Sequence, residues 1–563
     1  MCVKSVFGRG QAFFDAIKVL TSGLACIGRK FYDFLQGGDS MLQIKNLTIT
    51  HRKDSKIILK DFSFVLNTGD KAVIIGEEGN GKSSLLKWIF KPELLDSYAD
   101  ASGERILNSE RLGYLPQELS MEDSKKTIYE FFTENMLFWE KTPKELGKLA
   151  RNFGVGQDFY YKTQLMGTLS GGEKVKTQLM RLLIEEPTVL LLDEPSNDLD
   201  IETLEWLEKF ILETECSVLF ISHDETLIER TANVVVHIEQ LRRKTRSRYS
   251  VMRMPYKEYV MQRRANIDKQ EQEALNQRRE QKIKEEKFRR IQQKIENAQN
   301  SVSRQDPHGG RLLKKKMHAV KSMEHRYERE KADLLERPEE EEAIFVKFGE
   351  NMPAIPSGKK ILEYSLEKLY SADGMTALAR NIFLQIRGPE KICIVGKNGA
   401  GKTTLLKQIV LDLAERTDIH TEYMPQDYAD LLDAERTPVG FLCETGDKAE
   451  ETRIRTYLGA MKYTADEMNH PLAELSGGQK AKVLLLKMSI SGANVLIMDE
   501  PTRNFSPLSG PVIRQMLKNY PGAIISISHD RKYIEEVCDK VFELSENGLS
   551  LISVISGNDH LHH

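Results

Sequence analysis

A phosphate-binding motif, G-x-x-x-x-G-K-[ST], occurs twice in this chain, each time between a predicted strand and a predicted helix. The first copy runs from the apolar strand Lys71-Ala-Val-Ile-Ile into Gly76-Glu-Glu-Gly79-Asn-Gly81-Lys82-Ser83-Ser84, with a helix predicted over 84–90. The second follows the strand Lys391-Ile-Cys-Ile-Val395 as Gly396-Lys-Asn-Gly399-Ala-Gly401-Lys402-Thr403-Thr404. Glycines at these positions let successive backbone N–H groups wrap a triphosphate at a helix N-terminus, where the helix dipole also favours an anion. The lysine then reaches the β/γ-phosphates and the Ser83 or Thr403 hydroxyl binds Mg²⁺.

The repetition extends beyond the phosphate loops. Leu169-Ser170-Gly171-Gly172-Glu173 returns as Leu475-Ser476-Gly477-Gly478-Gln479. Val189–Pro195, containing Asp193-Glu194, returns as Val495–Pro501, containing Asp499-Glu500. Phe220-Ile-Ser-His223-Asp224 returns as Ser526-Ile-Ser-His529-Asp530. All three pairs are displaced by 306 residues, whereas Lys82 and Lys402 are displaced by 320. The first copy therefore holds 14 more residues between its lysine and its Ser-Gly-Gly. Gln117 in Tyr-Leu-Pro-Gln and Gln426 in Tyr-Met-Pro-Gln divide the excess, 11 residues before Gln117 and three after.

Residue types suggest the chemistry. Asp193 and Asp499 end apolar strands, where a carboxylate can hold the Mg²⁺ shell. Glu194 and Glu500 come one residue later, placed to orient or deprotonate an attacking water. His223 and His529 would contact the γ-phosphate, and Gln117 and Gln426 would complete the metal and water shell.

Between the two copies, Arg242–Arg337 carries 28 Lys+Arg against 14 Asp+Glu, while the whole chain of 563 residues is −3. A basic insert between acidic halves points to a polyanionic partner. Apolar residues at Tyr256, Val260, Ile267, Ala274, Phe288, Ile291, Ile295, Ala298 and Val302 predict a helix, the latter part with a coiled-coil step. A breaker cluster follows at Ser303, Asp306, Pro307, Gly309 and Gly310. The seam resumes at Leu313, Met317, Val320, Tyr327 and Leu334, so the two arms are expected to fold back antiparallel. Arg304, Arg311, Lys314, Lys315 and Lys316 crowd the turn and are the expected contacts to that polyanion.

Composition narrows the class further. Six scattered cysteines without a CxxC pair argue against a disulfide frame or zinc site. No apolar run approaches the ~20 residues a membrane helix needs. Residues 1–40 lack an uninterrupted apolar core for a signal peptide. Gln36-Gly37-Gly38-Asp39 can be encoded by a bacterial ribosome-binding sequence, which makes Met41 the expected natural start.

Five motifs in fixed order, twice, resemble the ATP-binding cassette superfamily over about Leu42–Glu239 and Leu362–Ile552. The resemblance implies an α/β fold, with two P-loop ATP-binding cassette domains joined by a long antiparallel α-helical hairpin linker. The expected division is 1–40 extension, 41–241 first cassette, 242–345 hairpin and 346–563 second cassette. It implies an ATPase with ATP and Mg²⁺ as cofactors, its cassettes meeting head to tail within a monomer. Ser170, Gly171 and Gly172 would then cover the nucleotide held by Lys402, and Ser476, Gly477 and Gly478 the one held by Lys82. The expected adenine neighbours are His51 and Tyr370. After Glu500 the sequence reads Pro501-Thr-Arg503-Asn-Phe-Ser506-Pro507, lacking the family's Leu-Asp, so the two sites are expected to be unequal.

Two cassettes with a basic hairpin between them look like the F subfamily, whose members bind the ribosome at the exit site and reach past peptidyl-site tRNA. The resemblance places the protein in the cytoplasm, on rRNA and tRNA. The interval from Gln117 to Ser170 leaves no room for the extra arm of many housekeeping members, and the hairpin is long. Both features resemble the antibiotic-resistance group. A housekeeping translation factor and the ATPase subunit of a transporter are the rival readings.

Overall fold

The computed structural model describes residues 40–241, 246–301, 314–315, 317–323, 325–326, 355–371, 374–443 and 445–554. The extension before Ser40 and the hairpin tip with Arg304, Arg311 and Lys316 lie outside them. The chain divides into two compact units, one holding both cassettes and the other a helical segment beginning at Lys257.

The first cassette opens with strands β1 (Ser40–His51) and β2 (Ile57–Asn67), followed by β3 (Lys71–Ile75). Next come β4 (Ala99–Leu107), β5 (Leu112–Leu115), β6 (Val189–Asp193), β7 (Ser217–Ile221), β8 (Val234–Leu241) and β9 (Arg246–Met252). β2-β1-β4 form an antiparallel sheet, and the main sheet has the order β5-β6-β7-β3-β8-β9. β3, β6 and β7 are buried at every position, as continuous Val/Ile/Leu runs in parallel sheets require.

The second cassette repeats the plan with β10 (Lys360–Tyr370), β11 (Ala377–Arg387), β12 (Lys391–Val395), β13 (Thr421–Met424), β14 (Val495–Asp499), β15 (Ala523–Ile527), β16 (Lys540–Ser545) and β17 (Gly548–Val554). Its main sheet, β13-β14-β15-β12-β16-β17, has the same order, but only β10 and β11 form the smaller sheet. The longer interval before Gln117 thus contains an added strand: β4 pairs along β1 from Leu42↔Leu107 to His51↔Ala99.

The basic stretch needs a correction. β9 pairs antiparallel with β8 from Val235↔Met252 to Leu241↔Arg246, so a boundary at 241/242 cuts through a β-hairpin of the first cassette. Tyr249 packs edge-on against Phe62 at 4.8 Å. Arg253 donates to Asp70 Oδ2 and to the Val65 carbonyl, both at 2.8 Å. Six of the 28 basic residues and none of the acidic ones precede Tyr256, so much of the positive surplus lies outside the helical arms.

The long helix Tyr256–Ser301 has 46 residues, about 70 Å at helical rise. It carries 12 Lys+Arg and eight Asp+Glu. Its shielded stripe follows Tyr256, Ala274 and Gln281, all buried. Gln281, a polar residue, takes a buried place in this stripe, while the neighbouring apolar Ile283 is exposed. In the returning segment, Lys314 and Lys315 are exposed and helical, as are residues 317–323.

Candidate functional site

Each phosphate loop turns into its helix through a glycine in the left-handed region, Gly81 at φ 84° and Gly401 at φ 93°. A Cβ on Gly81 would lie 2.1 Å from Ile58 Cγ2, and one on Gly76 2.3 Å from the Ile238 carbonyl oxygen. Any side chain there displaces backbone or core. Lys82 Nζ donates to the Gly76 and Glu77 carbonyls at 2.9 and 3.0 Å. Lys402 does the same to Gly396 and Lys397 at 2.8 and 3.0 Å.

The metal-binding candidates are adjacent in both cassettes. Ser83 Oγ donates to Asp193 Oδ1 at 2.9 Å and Thr403 Oγ1 to Asp499 Oδ2 at 2.7 Å. Burial pushes the Asp193 carboxyl up to about 6 and raises that of Asp499. Tyr114, which sequence reasoning did not single out, donates its hydroxyl to Asp193 Oδ2 at 3.3 Å.

The two glutamates follow in backbone conformations that favour glycine, Glu194 at φ 50° and Glu500 at φ 55°, a strain of about 1–3 kcal/mol each. Their N–H groups are held by the Ile221 and Ile527 carbonyls of the neighbouring strands. The side chains then diverge. Glu194 accepts from Gln117 Nε2 at 3.2 Å and Asn197 Nδ2 at 2.6 Å, and its Oε1 lies 3.3 Å from His223 Nε2. Burial opposes ionisation, but His223, Lys82 and Asn197 carry its carboxyl down to about 2.

Glu500 is less well served. Its Oε2 has only the Ser528 hydroxyl at 3.4 Å and the His529 N–H at 3.3 Å, and its buried Oε1 makes no hydrogen bond, with His529 Nε2 3.9 Å away. Burial, reinforced by Asp499, pushes Glu500 up to about 8. His529 Nδ1 is likewise buried without a partner, and burial with nearby Lys402 brings its ring down to about 4.

The unusual loop after Glu500 contributes to the difference, beside the longer approach of His529 Nε2, 3.9 Å against 3.3 Å for His223. At the position equivalent to Asn197 stands Arg503, and its guanidinium turns away to grip Asp198 of the other cassette through Nη1 at 2.9 Å and Nη2 at 3.0 Å. Asp198 is a hub that sequence reasoning missed. It also accepts from Gln426 Nε2 at 3.3 Å, and its carbonyl accepts from Asn398 Nδ2 at 2.5 Å. Gln426 thus serves the opposite cassette, whereas Gln117 serves its own glutamate. His223 Nδ1 donates across the interface to the Phe505 carbonyl at 2.8 Å.

Ser170 and Ser476 each cap a helix in a reciprocal capping box, with Glu173 and Gln479. The pairing is head to tail. Ser170 and Gly171 line a cavity of about 810 Å³ together with Lys402, Thr403, Thr404, Gln426, Asp499, Glu500 and His529. That size suits a nucleotide. Ser476 and Gly478 face Glu77 and Glu78 of the first phosphate loop across a cavity of only about 30 Å³. Neither His51, bonded to Asp54 at 2.8 Å, nor Tyr370 lines either cavity; Ser371 and Leu378 form the wall of the larger one.

Away from the phosphate loops the cassettes meet through ion pairs. Arg531 contacts Glu208 and, at 3.5 Å, Asp224. Arg514 pairs with Glu225 at 2.9 Å, and Lys532 with Glu225 at 2.9 Å and Glu229 at 2.6 Å. Within each cassette, Arg230 holds Glu208 and Glu536 holds Arg514, both at 2.9 Å.

The residues present fit Mg²⁺ and a triphosphate: paired hydroxyl and carboxylate oxygens at each loop, and orphaned polar atoms in the larger cavity. Ser83 with Asp193 and Thr403 with Asp499 would hold the metal, which supplies charge neutralisation at the β/γ-phosphates. From the unequal settings of the two glutamates, Glu194→Gln and Glu500→Gln should leave different residual turnover. The larger loss is expected for Glu500→Gln, which faces the roomier cavity; equal residual rates in steady-state phosphate release would remove the basis for this asymmetry.

Comparison with known proteins agrees with this architecture. The ABC transporter family model matches twice, at residues 59–197 and 379–503. The chain is 25% identical to ABC transporter F family member 5 of Arabidopsis thaliana, over 93% of this chain and 77% of that protein. It is 27% identical to the ribosome protection protein VmlR of Bacillus subtilis, over 90% of this chain and 88% of that one. Among solved structures, the RNase-L inhibitor shares the fold with a TM-score of 0.54 at 17% identity, covering 90% of each chain. No helix among the described residues is long and apolar enough to cross a membrane. The chain carries two ATP-binding cassette ATPase domains and is similar along most of its length to twin-cassette proteins of the F family.

Proposed function

We propose that this ATPase binds the ribosome in the cytoplasm and protects it against antibiotics that act at the peptidyl-transferase centre and exit tunnel. The observation that carries the reading is similarity to a ribosome protection protein along nine-tenths of both chains. A 46-residue helix rich in Lys and Arg, between cassettes that meet each other, supports it. In this reading Asp193 and Asp499 hold the metal, Glu194 and Glu500 orient the attacking water, and Gln117 and Gln426 complete the shells. His223 and His529 contact the γ-phosphate. The basic hairpin lies on rRNA and peptidyl-site tRNA near the exit site.

Two measurements test it. Co-sedimentation with ribosomes should fall steeply with salt, as phosphate contacts demand; no binding at low salt would favour a transporter subunit. Expression in a susceptible bacterium should raise inhibitory concentrations for at least one of lincosamides, pleuromutilins, streptogramins, macrolides or phenicols. Substitutions in Ser303–His308 should change which drugs are survived while leaving ribosome affinity nearly intact. Ribosome binding with protection against none would replace this reading by a translation factor.

A further inference from the structure

The two phosphate loops differ at the two positions after their first glycine. The first carries Glu77-Glu78, a charge of −2, and the second Lys397-Asn398, a charge of +1. Those side chains are engaged across the cassette interface. Lys397 pairs with Glu202 in the first turn of the helix Ile201–Glu213 at 3.3 Å, and Asn398 bonds the Asp198 carbonyl in the loop after Glu194, so neither side chain is held on the Ser170–Gly172 turn. Glu77 pairs with Lys482 at 3.4 Å. Glu78 does something else: its carboxylate accepts the backbone N–H of Gly478 in the second Ser-Gly-Gly turn.

The carboxylate covers that turn. A Cβ on Gly477 would lie 3.2 and 3.3 Å from the two Glu78 oxygens, and one on Gly478 3.2 Å from Oε2. The helix that starts there, Gly477–Ile490, has 14 residues, and its first N–H groups and dipole favour an anion. Gln479 stands at its third position where the other helix has Glu173, so the helix brings no acidic residue to its own first turn. Glu78 is the anion seated there. The contrast between about 30 Å³ at this site and about 810 Å³ at the other follows the same division.

We propose that Glu78 sets the order in which the two composite sites take nucleotide. Its carboxylate competes with a nucleoside triphosphate for the N-terminus of the helix Gly477–Ile490, so the Lys402 site fills first and the Lys82 site second and more weakly. A triphosphate entering beside Lys82 has to displace Glu78 from Gly478 and meets two acidic side chains on its own loop. At the Lys402 site the same positions present a lysine and an amide already turned aside. The inference rests on the ATPase activity and not on a ribosomal role.

The test uses the full-length protein with Glu194→Gln and Glu500→Gln, without ribosomes, so that failure of the ribosomal reading leaves it unaffected. Radiolabelled ATP with Mg²⁺ is titrated by equilibrium dialysis. Two affinity classes are expected, and Lys82→Ala should remove the weaker one. Adding Glu78→Gln should tighten that weaker class by about ten-fold or more, the scale of one charge-assisted contact, with the tighter class unchanged. Glu78→Asp, which keeps the charge, should tighten it less than Glu78→Gln. A merely structural role for Glu78 has the opposite sign, since Glu78→Gln would then weaken binding. Weakened or unchanged binding in Glu78→Gln, or loss of the weaker class on Lys402→Ala in place of Lys82→Ala, overturns the proposal.

Discussion

Glu194→Gln combined with Glu500→Gln is expected to bind ATP normally and to hydrolyse it about 10²–10⁴-fold more slowly. The substitution preserves side-chain size and removes the carboxyl's acid–base function at each site, together with a negative charge at Glu194. Nothing that would grip the triphosphate changes: Lys82, Lys402, the loop N–H groups and the Ser83–Asp193 and Thr403–Asp499 pairs all remain. A 10²–10⁴-fold loss corresponds to about 3–5 kcal/mol of barrier. In the ribosomal reading the double variant should also persist on ribosomes, because the nucleotide that holds the cassettes together is not consumed. The checks are steady-state phosphate release and co-sedimentation with ATP. Turnover at the wild-type rate would show that these carboxylates do not serve the attacking water.

The second large effect concerns the hairpin. Replacing Lys314, Lys315 and Lys316 by Ala should weaken ribosome binding and lower the slope of log affinity against log salt by roughly 2–3, or 0.7–0.9 per lost phosphate contact. Lys314 and Lys315 are solvent-exposed on the returning arm, so their removal leaves the cassette cores unaltered. ATP hydrolysis without ribosomes should therefore be unchanged. Wild-type salt dependence in the triple variant would move the nucleic-acid contact elsewhere, with exposed Arg246 and Arg248 on β9 the next candidates.

Most of the cassette architecture was legible because buried parallel strands must be written as short apolar runs. Val189–Leu192 and Lys391–Val395 could hardly be anything else, and glycines at fixed positions marked the loops between them. β9 was obscured by its own composition. Ser247, Tyr249 and Val251 alternate as a strand should, but Arg246 and Arg248 on the other face made it read as part of the charged linker. β4, Ala-Asp-Ala-Ser-Gly-Glu-Arg-Ile-Leu, is mostly exposed and polar, so it carries little hydrophobic signal, and only the longer interval before Gln117 hinted at it. The inequality of the two sites was visible in the sequence at Arg503. Its form was not, because it depends on which way one guanidinium and one carboxylate reach across an interface.

The ion pairs between the cassettes have a consequence for partner choice. Shifting the first cassette by the 306-residue repeat brings Glu208 onto Arg514, Glu225 onto Arg531 and Arg230 onto Glu536, so each of these positions carries the opposite sign in the two halves. A duplicated domain inherits a self-complementary face, and two copies of the same half could in principle associate through it. Here that homotypic association would set Glu208 against Glu225 in one case and Arg514 against Arg531 in the other, like charge on like at partly buried positions. Only unlike halves neutralise each other. Charge inversion at equivalent positions thus favours pairing of unlike halves, with like-charge repulsion opposing the wrong pairing while attraction supports the right one.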